Sequence, residues 1–453
     1  MNDAGYESHM VGKWHLGNYD DSMLSQERGF KTSLGFLSGA ESFYSHENLG
    51  VSLDGKSFVD FGYGDTTGYH DVNTCDSNDA TGSDGGDPTD ACYNGTYSED
   101  VYFDRATQIV QSKKPYDDEP LFLYMAHQSV HSPNGPAPSD GFTTEEQQLL
   151  DAVSAATGSD ERVQFAGVLL YLDKLIGDFV DVLEDEGWLE NSIIVVASDN
   201  GGCPTDGGTN YPLRGAKGSV HEGGTKVPAF VYSKSHLPSQ AMGTTYDNLM
   251  HVTDWLPTLA NVAGAEITDS AGALDGVDQW GSLKSYDEEA GDSPPRTEML
   301  YNWDPYILSS QDELTQDLSL TQGAFRSGDW KLMLNVWCEG YYSHDLAVTE
   351  SDDLVESGDT CGGTTSCEAC ADRCEMDTET YGVSDKLYNI VDDPREQYNL
   401  YDEYPEIVET LLERAETVVF GEYVESGFEE TDTYSYTVWA ESGYRIVPWK
   451  DEE

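Results

Sequence analysis

Positive charge is what this sequence has least of. Lys and Arg together number 23 against 85 Asp and Glu in 453 residues, a formal charge of −62. A chain so poor in cations cannot neutralise a run of phosphates with clustered Lys and Arg, which excludes a nucleic-acid binder held in that way. Attachment to an anionic membrane by charge is disfavoured for the same reason. Long apolar runs are scarce too. The most apolar stretch, Ile193-Ile194-Val195-Val196-Ala197, is strand length and falls far short of the roughly 20 residues of a membrane span. The opening Met1-Asn2-Asp3-Ala4-Gly5 has neither the basic start nor the apolar core of a signal peptide.

What is present belongs to a folded protein. Apolar residues make up 38%, with 28 Tyr and 9 Trp, too much for a disordered acidic polymer. The length allows roughly two or three domains and a sizeable core. The acidity repels itself at low salt and is tolerated where counterions are plentiful, so it reads as adaptation to a saline medium, with solubility as the plainer account. Eight Cys and an Asn-Gly-Thr sequon at Asn94 point to an oxidising, glycosylating secretory route.

Continuous apolar runs at 8–11, 119–126 and 192–198 predict strands buried on both faces of a sheet. Between the last two, Phe165, Val168, Leu169, Leu172, Leu175, Ile176, Phe179, Val180 and Leu183 recur at helical spacing, and Gly187 ends the pattern. Strand, helix, strand predicts a right-handed crossover in a largely parallel α/β sheet. Beyond about residue 315 the character changes. A hairpin is expected over 324–334, a strand over 386–390, and a helix opening at Pro405. The expected organisation is an α/β domain over 1–314 and a smaller α+β domain over 315–453 with a Cys-rich insertion at 361–374. Cys75 to Cys92 should close an acidic surface loop, with a calcium site as the alternative. Cys361, Cys367, Cys370 and Cys374 should form two disulfides, although Cys367-x-x-Cys370 also has zinc-ligand spacing.

Each of the three predicted strands ends in a small polar cluster: Lys13 and His15, then His131, then Asp199 and Asn200. Sites of open α/β sheets lie outside the carboxyl ends of strands, so converging clusters there are what a site would look like. Asp199 and Asn200 offer oxygens suited to calcium or magnesium, which need about six. Lys217, beside Gly215 and Gly218 in a cation-poor chain, joins Lys13 and Arg214 as a candidate anion binder. Gly50-Val51-Ser52-Leu53-Asp54-Gly55-Lys56-Ser57 matches a phosphate-loop pattern, but no apolar strand precedes it and no helix follows, so a nucleotide site is not expected.

An ordered set of motifs carries a resemblance that runs almost end to end. Gly5-Tyr6 with Val11-Gly12-Lys13-Trp14-His15-Leu16-Gly17 comes first, then Arg28-Gly29-Phe30, Gln128-Ser129-Val130-His131 and Asp199-Asn200-Gly201-Gly202. Pro212-Leu213-Arg214-Gly215, Asp254-Trp255-Leu256-Pro257-Thr258, Leu274-Asp275-Gly276 and Asp393-Pro394-Arg395-Glu396 follow. Together they resemble the sulfatases, in particular the arylsulfatase B-like branch acting on sulfated sugars.

The resemblance implies an alkaline-phosphatase-like mixed sheet flanked by helices, with a smaller carboxy-terminal domain. It implies sulfuric ester hydrolysis of sulfated polysaccharides or aryl sulfates in a secretory, extracellular or lysosome-like setting. Lys13 and Lys217 would hold the sulfate, His15 would hydrogen-bond the nucleophile, and His131 would protonate the leaving alcohol. Asp199 and Asn200 would bind part of a calcium ion. The family's nucleophile is a formylglycine made from a C/S-x-P-S/A-R motif. No such motif occurs in the 453 residues; Cys203-Pro204-Thr205 comes nearest and fails. An early Asp-Asp metal pair is absent as well. The expectation is therefore a sulfatase domain lacking its amino-terminal part and one central strand, poorly folding and inactive in this form. Two rivals stay open: a non-catalytic sulfatase-like binding protein, and a phosphodiesterase of the same superfamily.

Overall fold

The architecture is that of a computed structural model, which describes residues 1–73, 92–133, 135–138, 141–267, 274–285, 294–304, 306–307, 310–314, 317–336, 384–422 and 434–449. Strands β1 (Glu7–Lys13), β2 (Thr32–Phe36), β3 (Glu47–Leu53), β4 (Lys56–Val59), β5 (Gly62–Asp65), β6 (Gly68–Asp71) and β7 (Leu121–Ala126) come first. Five of them make a mixed sheet in the order β6-β5-β2-β1-β7. β1 runs parallel to both β2 and β7, which places the carboxyl ends of β1 and β7 side by side. β2–β5 and β5–β6 are antiparallel.

The five-residue run Ser8–Gly12 is buried throughout, as a central strand requires. Val11, Leu34, Phe36, Phe61 and Tyr63 pack against Val101 and Tyr102 of helix α1 (Ser98–Gln111). Met10, Trp14, Leu24 and Phe58 form another cluster, closed by Trp439 and Ile446 from the end of the chain. The carboxy-terminal segment thus returns to the first sheet. Gly12 has a positive φ of 96°, and a Cβ there would lie 1.9 Å from the Ala126 carbonyl oxygen, so this strand pair closes only on glycine.

Helices α2 (Thr144–Thr157) and α3 (Asp160–Asp185) precede β8 (Ile194–Ala197), which pairs antiparallel with β9 (Ala229–Tyr232) in a sheet of its own. The expected strands therefore form, but β8 shares no ladder with β7 among the described residues. An apolar run specifies a strand; it does not name the partner. This region is under-covered: Tyr124 is 47% exposed, Leu169 49% and Phe230 54%. The phosphate-loop lookalike folds as the β3–β4 hairpin, turning on Asp54 and Gly55, both at positive φ.

A second sheet, antiparallel in the order β10-β13-β14-β15, uses Glu298–Asp304, Gln322–Ser327, Trp330–Val336 and Ser384–Asn389. The short pair β11 (Tyr306–Ile307) and β12 (Ser310–Leu314) lies between the first two. The hairpin at Gly328-Asp329 and the helix opening at Pro405 (Pro405–Thr417) fall where the sequence puts them. Phe325, Leu332, Leu334 and Leu387 pack on Val408, Leu411 and Ala415 of that helix. The opposite face, with Ala324, Met333 and Tyr388, packs against Val220 of the first domain. The sheet starts at Glu298, upstream of the expected boundary at 315. The Cys75–Cys92 loop interior and the 361–374 cysteines lie outside the described residues. No helix among the described residues is long and apolar enough to cross a membrane.

Candidate active site

Lys13 is the last residue of β1, and His15 follows two residues on. The His15 backbone has a φ of 48°, an uncommon region for a side chain larger than glycine. Its amide is held by the Leu37 carbonyl at 3.1 Å. Gly39 leaves room for the ring: a Cβ there would sit 3.0 Å from His15 Cε1.

His131 lies just past β7, and Glu99 in the first turn of α1 steadies the connecting loop. The buried Glu99 carboxylate accepts from the Ser129 amide at 2.7 Å and pairs with His127 Nδ1 at 2.9 Å. Next to it, Gln128 Nε2 donates to the Glu41 carbonyl at 2.6 Å. Nothing in the sequence marks Glu99 for this task, because one acid among 85 carries no signal.

The contacts of His131 determine its tautomer. Nδ1 stands 2.7 Å from the Ser132 carbonyl, which can only accept, so Nδ1 carries the hydrogen. Nε2 stands 3.0 Å from Lys217 Nζ, which can only donate when charged, so Nε2 offers its lone pair. The ring is neutral and turned toward an ammonium. Burial lowers its pKa first, and the charges of Lys217 and Lys13 lower it further.

Lys217 comes from the loop between β8 and β9. Its amide donates to the Gly202 carbonyl at 3.3 Å, and Gly201 donates to the Gly224 carbonyl at 2.9 Å. Those two bonds stitch the Asp199–Gly202 turn to the Lys217 loop. Gly224 is required there, since a Cβ would meet the Ser219 and Ala216 carbonyls at 2.3 and 2.4 Å.

The candidates thus share one electrostatic environment. Burial lowers the Lys13 pKa, Lys217 lowers it again, and Asp199 opposes. The His15 pKa falls through burial and then through Lys13, His131 and Lys217. Among the described residues neither Lys13 nor Lys217 makes an ion pair, so their charge is available to a ligand. Asn200 lies on the same turn as Asp199, whose carboxylate accepts from the Asn200 amide at 2.8 Å. Arg214, grouped with these lysines by sequence, is committed elsewhere: it donates to the Glu396 carbonyl at 3.0 Å and to Tyr388 Oη at 3.2 Å.

The metal and nucleophile that the resemblance implies do not fit what is here. Asp199 and Asn200 supply two side chains where calcium takes six to eight oxygens. No group of three or more His, Cys, Asp or Glu among the described residues could hold an ion. No residue of the chain sits in a formylglycine motif. What the described residues do bring together is Lys217 and the neutral His131 ring, with Lys13 and His15 in electrostatic reach of them.

The sulfatase family profile matches residues 1–265. Arylsulfatase J of Mus musculus is 32% identical over 422 residues, covering 91% of this chain and 60% of that protein. N-acetylgalactosamine-6-sulfatase of Sus scrofa is 25% identical over 289 residues, covering 61% and 46%. The chain thus spans about half to three-fifths of the length of these relatives. In fold, the crystal structure of Ps i-CgsB superposes with a TM-score of 0.63 at 20% identity, covering 98% of this chain and 77% of that one. The PsFucS1 sulfatase from Pseudoalteromonas sp. gives 0.59 at 19%, covering 94% and 73%. With a family match over more than half its residues and the alkaline-phosphatase-like sheet of its neighbours, the chain belongs to the sulfatase family.

Proposed function

We propose that this protein acts on sulfate esters as a sulfuric ester hydrolase, with sulfated sugars as the substrate class. The observation that carries the reading is the 3.0 Å approach of Lys217 Nζ to His131 Nε2, with Lys13 and His15 in electrostatic reach and no ion pair to either lysine among the described residues. A tetrahedral oxyanion is the ligand such a set favours, and fixed positive charge stabilises it most where negative charge develops. The relative named N-acetylgalactosamine-6-sulfatase supports a sugar sulfate.

Lys13 and Lys217 hold the sulfate oxygens. When Lys217 turns its ammonium to the anion, His131 Nε2 loses the charge that depresses its basicity and takes up a proton. That proton is then positioned for the leaving alcohol oxygen. His15, two residues after Lys13 in the motif, would hydrogen-bond the attacking group. An exposed Asn94 and disulfide-bonded Cys92 and Cys203 support a secretory or extracellular setting.

A second reading has its own observation. Without a C/S-x-P-S/A-R motif, the chain fits a sulfate-ester-binding protein that performs no turnover. Calorimetric titration of the purified chain with inorganic sulfate, in parallel with assays on an aryl sulfate and an aryl phosphate, separates the cases. Sulfate binding that weakens in Lys217→Met is expected, and its absence removes the reading. Turnover of the aryl sulfate selects the hydrolase, and binding without turnover selects the second reading. Preferred hydrolysis of the phosphate would make the protein a phosphodiesterase instead.

A further inference from the structure

The second domain reaches into the loop that carries Lys217. Lys331 on β14 is fully buried, and its ammonium donates to Glu222 Oε1 at 2.8 Å and to Glu396 Oε1 at 3.0 Å. It also lies 4.3 Å from the centroid of the Tyr301 ring. The other Glu396 oxygen accepts from the Glu222 amide at 2.8 Å and from His221 Nδ1 at 3.1 Å. Arg214 closes the group through the Glu396 carbonyl and Tyr388. Lys331, His221, Glu222 and Glu396 are all buried, and one ammonium bridges the two carboxylates.

Arg214, His221 and Glu222 bracket Lys217 in sequence. Gly223 donates to the Arg214 carbonyl at 2.6 Å, which closes the loop into a ring around residue 217. Gly224, next in line, holds the Gly201 amide of the Asp199 turn. We propose that Lys331 and Glu396 are positioning residues: through Arg214, His221 and Glu222 the second domain fixes the loop that presents Lys217 to His131. The first domain's anion cradle is thereby completed by a neighbour that never touches the ligand. This deepens the sulfatase reading and rests on it only for the identity of the anion.

The test follows the His131 ring by NMR titration of the full-length chain, with selectively labelled histidine. Lys217, Lys13, Asp199 and His15 are the charged or titratable groups acting on that ring. In Glu396→Gln the loop loosens, the Lys217 ammonium leaves Nε2, and the His131 titration moves up toward the ordinary histidine value. The Lys217→Met chain supplies the reference for complete loss of that contact. Sulfate affinity in Glu396→Gln falls by about tenfold, the scale of one lost charge-assisted hydrogen bond. Tyr388→Phe removes only a hydroxyl, keeps the packing, and should give a smaller shift of the same sign. Folded variants whose His131 titration matches wild type overturn the proposal, since a purely structural role would lower Tm and leave that ring alone. If wild type binds no sulfate, the sulfatase reading falls, and the titration still decides the coupling.

Discussion

One loop contributes to two groups of cations, through Arg214 and Lys217, and they are used in opposite ways. Lys331 and Arg214 are answered by Glu222, by both the carboxylate and the backbone of Glu396, and by Tyr388. Lys217 meets His131, and Lys13 feels Lys217, His15 and Asp199, with no ion pair to either lysine among the described residues. The first group is closed and contributes only order. The second is left open, and in a chain of net charge −62 an open cationic cluster is a deliberate exception to its surroundings. The difference teaches that cation count is a poor guide to function, whereas the fate of each charge is a good one.

The largest way to break the comparison is to open the closed group. Lys331→Met leaves Glu222 and Glu396 buried without their shared ammonium and should cost about 3–5 kcal/mol, as for other buried pairs that lose one member. Urea unfolding of wild type, Lys331→Met, Glu396→Gln and the double variant should show strong coupling. Additive costs would mean that the two groups do not form a unit.

Acid offers a milder version of the same break. The Lys331 ammonium, His221 and the Glu222 amide hold the Glu396 pKa at about 2, against the burial that would raise it. A carboxylate with a depressed folded pKa stabilises the protein fully above its unfolded value, and that stability is lost as pH falls through the folded one. Between about pH 4.5 and 2 the wild type should therefore lose about 3 kcal/mol through this group alone. Glu396→Gln should flatten that part of the stability curve. An unchanged slope in the variant would assign the acid sensitivity to other carboxylates.

Much of the open group is legible in sequence because each member sits in a local motif. Lys13 and His15 follow a buried strand, His131 follows β7, and Lys217 lies among glycines that let the chain fold tightly. The closed group is illegible for equal and opposite reasons. Lys331 is the one polar residue of Trp330-Lys331-Leu332-Met333-Leu334, and a strand lysine ordinarily turns to solvent. Yet β14 is covered on both faces, by the helix opening at Pro405 and by the first domain around Val220. Glu396 is visible only as the end of Asp393-Pro394-Arg395-Glu396, with nothing to say what it meets. The fold divides the same way. Strand existence follows from local apolar runs, whereas the pairing of β8 with β9 instead of β7 is a long-range choice that no run encodes.

Opening the second group further should affect binding and spare the fold. Lys217→Met removes a like-charge neighbour of Lys13, so stability should change by no more than about 0.5 kcal/mol. Sulfate affinity should fall by roughly 10- to 100-fold, the range for a hydrogen bond to a charged group. A bound anion also favours the protonated forms of His131 and His15, so affinity in the wild type should rise as pH falls through the histidine range, and calorimetry at several pH values should show proton uptake. A flat pH dependence would separate the histidines from the anion.

Lys56 sharpens the comparison from outside both groups, and its effect should be the smallest. It is exposed, in the β4 strand that the phosphate-loop pattern misleadingly marks, and its ammonium sits 4.3 Å from the Tyr444 ring centroid. An exposed cation over an aromatic face is worth about 0.5–1 kcal/mol. Lys56→Gln should lower stability by no more than that and leave sulfate affinity unchanged, measured by the same urea and calorimetric experiments. A loss of affinity in Lys56→Gln would show that the cradle's attraction is a diffuse field of the few cations present. An unchanged affinity beside the loss in Lys217→Met would locate it in the charges that the fold leaves unanswered.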